Sequence, residues 1–274
     1  MFWKKTVKAA ASRSNESKGL IGDKLSFAAA EAYKLLRTNI EFSLPDEKNC
    51  RIIGITSGMR GEGKTTTAIN LSYSLAQSGK RVLLLEADLR LPTIGKRLGL
   101  ARTPGLSNLL AGLCTGTEVL QKSVLLPNFY VITAGDIPPN PSELLGSAQM
   151  AVSIKALSSN FDFIILDLPP VNVVSDALVA SRLIHGMIVV VRQGSSSKQS
   201  VAEAMRHLKF LETKVLGFVM TGTDDRYKRY KKYRQKYGYG YGYEDGDADA
   251  HASRHVERPK TTHRGSVQTV ADEK

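Results

Sequence analysis

Gly58, Gly63, Lys64 and Thr65 stand at the spacing G-x-x-x-x-G-K-[ST] in the stretch GMRGEGKT. That spacing makes a phosphate cradle. Consecutive backbone N–H groups wrap phosphate oxygens, a path only glycine-rich turns permit, while the lysine reaches the β and γ phosphates and the threonine hydroxyl binds Mg²⁺. The nucleotide-binding candidates are therefore Gly58, Met59, Arg60, Gly61, Glu62, Gly63, Lys64, Thr65 and Thr66. A Gly-rich surface turn would carry similar residues. This one follows an apolar strand-like run and opens a helix-like one, whose positive end would face the same phosphates.

Carboxylates must hold the metal and handle a proton at such a site. Two apolar runs end in acids: VLLLEADLR offers Glu86 and Asp88, and FIILDLPP offers Asp167. Ligands of parallel sheets bind outside the carboxyl ends of the strands, so both acidic ends are expected to converge on the phosphate loop. The metal candidates are then Thr65, Asp88 and Asp167. The catalytic candidates are Lys64, Glu86, Asp88 and Asp167, with Glu86 or Asp88 accepting a proton and Arg60 or Arg90 as additional clamps on the phosphoryl group.

The elements that must position these groups are legible as alternation. RIIGIT, RVLLLEAD, FYVITAG, FDFIILD, GMIVVV and KVLGFVMTG read as strands, several apolar at nearly every position as strands buried on both faces should be. Between them lie helical patterns such as KTTTAINLSYSLAQSG, closed by Gly79. A helix is expected from Ser142 after the proline-rich AGDIPPNP, and another, SFAAAEAYKLLRTNIEF, opens on Ser26 as N-cap. This predicts an α/β fold, a mostly parallel sheet covered by helices on both faces. The domain spans residues 26–223, preceded by a flexible basic arm (1–25) and followed by a disordered tail (224–274).

The net charge is +12, which favours acidic partners without choosing among nucleotides, nucleic acid and anionic lipid. Cys50 and Cys114, far apart and without metal-ligand spacing, read as free thiols in a reducing cytoplasm. The opening MFWKKTVKAAASRSNESKG lacks the apolar stretch of a signal peptide, and no run approaches a membrane-spanning length.

Seven of the ten tyrosines, Tyr227, Tyr230, Tyr233, Tyr237, Tyr239, Tyr241 and Tyr243, fall in the tail, interleaved with seven Lys or Arg and no acid between 226 and 243. Phosphorylating all of them would add roughly −10 to −14 and reverse the sign of the segment. The same residues would also suit an aromatic stripe lying on a protein or membrane, or stacking on single-stranded nucleic acid.

With the phosphate loop, LLLEADLR as a second Walker-type motif, IILDLPP as Walker B, EAYKLLRTNI, PPNPSELL and the tyrosine-rich tail, residues 26–243 resemble the bacterial tyrosine kinases of the CpsD/CapB-like cytoplasmic type. The resemblance implies a P-loop NTPase fold of the MinD-like class, ATP and Mg²⁺ as cofactors, and autophosphorylation of Tyr227–Tyr243 in trans. It further implies a membrane-anchored activator of the polysaccharide chain-length type, a cognate tyrosine phosphatase, a location at the inner face of the membrane through that partner, and regulation of capsule or exopolysaccharide export. Nucleic acid is not an expected partner. Glu86 stands where the family usually has Asp as the favoured base. Glu31, Lys34 and Arg37 match the helix motif E-x-x-R-x-x-R that helps subunits form a ring, with Lys34 replacing an Arg. Thr221 replaces an Asn that commonly reads adenine. The rival readings are a MinD- or ParA-like positioning ATPase, which typically carries a second lysine where Met59 stands, and a non-catalytic ATP-binding adaptor.

Overall fold

A computed structural model describes residues 21–44 and 50–223. The arm up to residue 20 and the tail 224–274 with its tyrosine cluster lie outside the described residues. In chain order the elements are α1 (Phe27–Ser43), β1 (Arg51–Ser57), α2 (Lys64–Gln77), β2 (Val82–Glu86) and the short helices α3 (Ile94–Leu98), α4 (Leu106–Leu110) and α5 (Gly116–Val119). There follow β3 (Gln121–Lys122), β4 (Phe129–Ile132), α6 (Pro141–Leu145), α7 (Ala148–Ser158), β5 (Phe163–Asp167), α8 (Asp176–Ala180), β6 (Gly186–Arg192), α9 (Lys198–Phe210) and β7 (Val215–Thr221).

The strands form one seven-stranded sheet in the order β3-β4-β2-β5-β1-β6-β7. Every pairing is parallel except β3 with β4. All six expected strands are present. The seventh, β3, is a two-residue polar edge strand with no sequence pattern to announce it.

Strand alternation divides the core in two. Val82, Leu84, Phe163 and Ile165 pack on one face with Ala68, Ile69, Leu71 and Leu75 of α2. Leu83, Leu85, Ile164 and Leu166 pack on the other with Met150 and Ile154 of α7 and Ala204 and Leu208 of α9. A strand so placed must be apolar at both parities, which is why VLLLE and FIILD are uninterrupted. The edge strand β7 is covered less well: Phe218 and Met220 are about half exposed.

Three local differences from the sequence reading have physical causes. The helix expected from Ser142 begins one residue earlier, because Pro141 occupies its first turn, where a missing N–H leaves nothing unsatisfied. Residues 21–25 are held rather than flexible: Ile21 packs against the α2 side of the core and the Gly22 N–H donates to Asn70 Oδ1 at 2.9 Å. The short helices α3 to α5 span four or five residues each, too few for a helical period to register. Ser26 caps α1 as expected, its Oγ accepting from the Ala29 N–H at 3.3 Å. Both cysteines are free, and burial pushes the Cys50 thiol up to about 12.

Candidate active site

Strand β1 lies between β5 and β6 and delivers the chain into the phosphate loop at the carboxyl edge of the sheet. Gly61 and Gly63 adopt φ of +80° and +99°, conformations a side chain would strain. Gly63 is the N-cap of α2, so the first N–H groups of that helix and its positive end open onto the loop.

The loop is braced from the β6–β7 side. The buried Glu62 carboxylate accepts from the Met59 N–H at 3.0 Å and from the Ser196 hydroxyl. Arg192 donates to the Gly61 carbonyl at 3.2 Å, and the Thr221 hydroxyl donates to the Glu62 carbonyl at 2.7 Å. Glu62 and Thr221 therefore spend their side chains on holding the loop. Sequence reasoning missed both roles, since Ser196 and Thr221 are 134 and 159 residues from Glu62 in the chain.

Behind the loop is a cleft of about 270 Å³. Lys64, Thr65, Thr66 and Arg60 line it from the loop side, and Asp88 and Arg90 from the segment after β2. Lys64 Nζ sits 2.7 Å from Asp88 Oδ2, while Asp88 Oδ1 accepts from the Leu91 N–H at 3.1 Å. A larger cleft of about 610 Å³, bounded by Arg51, Lys80, Arg81 and Lys155, opens at the amino ends of β1 and β5. Size does not decide between them: chemistry in a parallel sheet belongs at the carboxyl ends, where the acids and the phosphate loop are.

Asp167 ends β5, fully buried beneath the cleft, and its Oδ1 has no hydrogen-bond partner. Burial pushes its carboxyl up to about 6, against the opposing pull of the Lys64 ammonium and the Thr65 hydroxyl. A buried carboxylate oxygen left without a partner beside a threonine hydroxyl is an oxygen donor set suited to Mg²⁺, which keeps several ligands from water and phosphate.

Glu86 behaves differently from the other acids. Its Oε1 accepts from the backbone N–H groups of Thr93 and Ile94, the latter at 2.5 Å, and its Oε2 accepts from the Ala134 N–H at 3.0 Å. Glu86 and Asp167 are equally buried, at 1% exposure, but both oxygens of Glu86 are taken by backbone donors while Asp167 Oδ1 has no partner. All three acids meet at the carboxyl edge of the sheet, Glu86 as the register partner of Asp167, but the hydrogen bonds of Glu86 tie the chain after β2 to the end of β4.

Arg90 is fixed by an acid the sequence did not suggest. Its Nε and Nη2 donate to Asp176 Oδ2 and Oδ1 at 2.9 and 3.0 Å, a two-pronged pairing. Asp176 is fully buried at the start of α8, and the Ser142 hydroxyl donates to the same carboxylate. The bond to Asp176 raises the guanidinium above its ordinary value, and Arg90, a cation at any working pH, is held by it in the lining of the cleft.

On α1, Lys34 pairs with Glu31 at 2.7 Å across one turn of an exposed face, and Arg37 donates to the Ser74 carbonyl of α2 at 2.8 Å. Two of the three residues expected at a subunit interface are thus partnered with each other, and the third anchors α1 to the domain.

Comparison with known proteins places these observations in a family. Residues 50–216 match the model of an AAA domain. The chain is 38% identical over 193 residues to the tyrosine-protein kinase YwqD of Bacillus subtilis (strain 168), covering 70% of this chain and 81% of that protein. Among solved structures, the kinase domain of the Escherichia coli tyrosine kinase ETK superposes with a TM-score of 0.68 at 33% identity, over 71% of this chain and 75% of that one. The chimerical protein CapA2B2 superposes with a TM-score of 0.66 at 35% identity, over 69% and 83%. A more distant neighbour is the septum site-determining protein MinD complexed with Mg-ADP from Pyrococcus horikoshii, with a TM-score of 0.54 at 27% identity over 65% and 73%.

Proposed function

The chain belongs to the bacterial tyrosine-protein kinases, and from that premise we propose that it transfers the γ-phosphoryl group of Mg-ATP to tyrosines of its own tail, Tyr227 to Tyr243. The observation that carries this reading is the meeting of Lys64, Asp88 and Asp167 at one end of the sheet, with an ion pair already formed between the first two. When ATP enters, its β and γ phosphates compete with Asp88 for the lysine. Lys64 leaves the carboxylate for the phosphates, and Asp88 is freed as a proton acceptor at the moment the substrate arrives.

In the transfer, the phenolic oxygen attacks the γ phosphorus and the bond from that phosphorus to the oxygen bridging it to the β phosphate breaks. The phenolic proton passes to Asp88, and ADP leaves. The backbone of the phosphate loop and Lys64 hold the phosphates, and Arg90, clamped by Asp176, supplies positive charge near the acceptor side. Thr65 and Asp167 would hold Mg²⁺, which when bound neutralises charge on the β and γ oxygens. The three backbone bonds to Glu86 support a structural part for that residue, and the role of base passes to Asp88.

The wider setting follows from the family. Acceptor tyrosines would be presented in trans within a ring-like homo-oligomer, with Glu31, Lys34 and Arg37 at its interface. Activity would depend on a membrane-anchored chain-length-type protein, be reversed by a cognate phosphatase, and govern capsule or exopolysaccharide export. Among the described residues no helix is long and apolar enough to cross a membrane. Attachment to the inner face through that partner is part of the same proposal.

Incubating the full chain with γ-labelled ATP and Mg²⁺, while counting both ADP and label on tyrosine, tests the reading. Label on tyrosine that accounts for the ADP formed is the expected result. ADP formed with no label on protein would make it a positioning ATPase of the MinD kind, and nucleotide binding with neither product would make it an adaptor.

A further inference from the structure

The cleft has two unlike walls. Around the phosphate loop its lining is cationic. On the side formed by the segments after β2 and β5 it is apolar, made of Leu91, Pro169, Pro170, Val173 and Val174. Leu91 and Val173 are 52% and 42% exposed, and together with the prolines they make a contiguous apolar surface rather than a scattered aliphatic side chain. A triphosphate has no use for such a wall.

Its position says what does. In the strand order, β2 and β5 lie to one side of β1, whereas β6 and β7, which supply Arg192 and Thr221, lie to the other. The apolar wall is therefore on the side of Asp88 and Arg90. Leu91 is tied directly to Asp88, its N–H donating to Oδ1. Lys64, the residue that reaches the terminal phosphates, contacts this same carboxylate. The wall thus adjoins the γ-phosphate end of the site, where the acceptor must enter. An acceptor tyrosine brings a hydroxyl that has to meet Asp88 and an aromatic ring that gains from leaving water.

We infer that Leu91, Pro170 and Val173 form the platform on which the ring of the acceptor tyrosine lies, with its hydroxyl directed at Asp88. This deepens the kinase reading and rests on it. The platform selects tyrosine by depth: a serine or threonine hydroxyl has no ring to fill the gap between the wall and the carboxylate. The described residues end at Thr223, just past β7, which runs parallel to β2 and β5, so its carboxyl end is at the same end of the sheet as the platform, across β1 from it.

The test is steady-state phosphorylation, by the full chain, of a synthetic peptide of residues 226–237 under varied peptide and varied ATP. Leu91→Ser and Val173→Ser, made separately, are each expected to raise the peptide KM about tenfold, the usual worth of a lost aliphatic contact in a binding pocket. The KM for ATP should move less than about twofold, and Leu91→Met should restore the peptide KM, because shape rather than the identity of leucine is required. Unchanged peptide KM in both serine variants would overturn the platform and leave the kinase reading standing. A rise in the ATP KM instead would assign the wall to the adenine ring and overturn it likewise. A wild-type chain that phosphorylates neither peptide nor itself would overturn both.

Discussion

Asp88→Asn is expected to lower tyrosine phosphorylation by about 10²–10⁴-fold, the usual contribution of a positioned acid or base, while leaving ATP binding within about tenfold. Asparagine keeps the shape of the side chain and can still accept from the Leu91 N–H, but it takes no proton and gives Lys64 no ionic partner. Glu86→Gln is the informative contrast. Its two oxygens accept from three backbone N–H groups, and an amide nitrogen in place of either oxygen would face a donor. Leaving those groups unpaired costs about 1–3 kcal/mol. The Gln variant should therefore unfold at a lower temperature yet retain activity within about tenfold when assayed cold. Parallel kinetics and thermal unfolding of the two variants decide the matter. Lost activity at unchanged stability for Glu86→Gln would return the base to Glu86.

Asp167→Asn should move stability and activity in opposite directions. This carboxylate is fully buried with one oxygen lacking a hydrogen-bond partner, and burial raises its pKa to about 6 from an ordinary 3.8. The proton is bound more tightly in the folded state than in the unfolded one. The stability this contributes is fully present below the ordinary value and is lost as pH rises through about 6. At neutral pH the ionised group works against the fold by on the order of 3 kcal/mol. Asparagine removes that charge. Measured with a chelator and without nucleotide, the variant should melt several degrees above wild type at pH 7 and show little of the wild type's loss between pH 4 and 6. Tyrosine phosphorylation should fall by roughly 10²–10³-fold, as when an electrostatic contact to the transition state is removed. A variant that melts lower than wild type at pH 7 would mean that the Asp167 charge is compensated within the fold and needs no metal.

The gross fold was legible because the sheet is buried on both faces. VLLLE and FIILD must be apolar throughout, and the acids that end them mark where the strands reach solvent and ligand. The phosphate loop was legible because its glycines and its lysine are fixed by backbone geometry, which is local. What could not be read depends on partners brought in by tertiary contact. Glu86 resembles a catalytic acid in sequence, and the backbone N–H groups of Thr93, Ile94 and Ala134 that occupy both its oxygens are brought to it only by the fold. Asp176 lies 86 residues from Arg90, and nothing around it in the chain signals a buried clamp. Thr221 reads in sequence only as a replacement for an adenine-reading Asn, and its bond to the Glu62 carbonyl arises from the approach of β7 to the phosphate loop. The bond from Arg37 to the Ser74 carbonyl is announced by no motif either, because it requires α1 to lie on α2. The two-residue strand β3 and the one-turn helices after β2 carry too few residues for any period.

Intact mass of the full chain after incubation with Mg-ATP, beside a Lys64→Met control, tests the kinase assignment and its acceptor sites most directly. The expected result is a ladder of phosphate-sized additions that maps to Tyr227–Tyr243 and is absent from the control. An unmodified chain that has nonetheless turned over its ATP would contradict the assignment, and the tail tyrosines would then be a binding surface rather than a substrate.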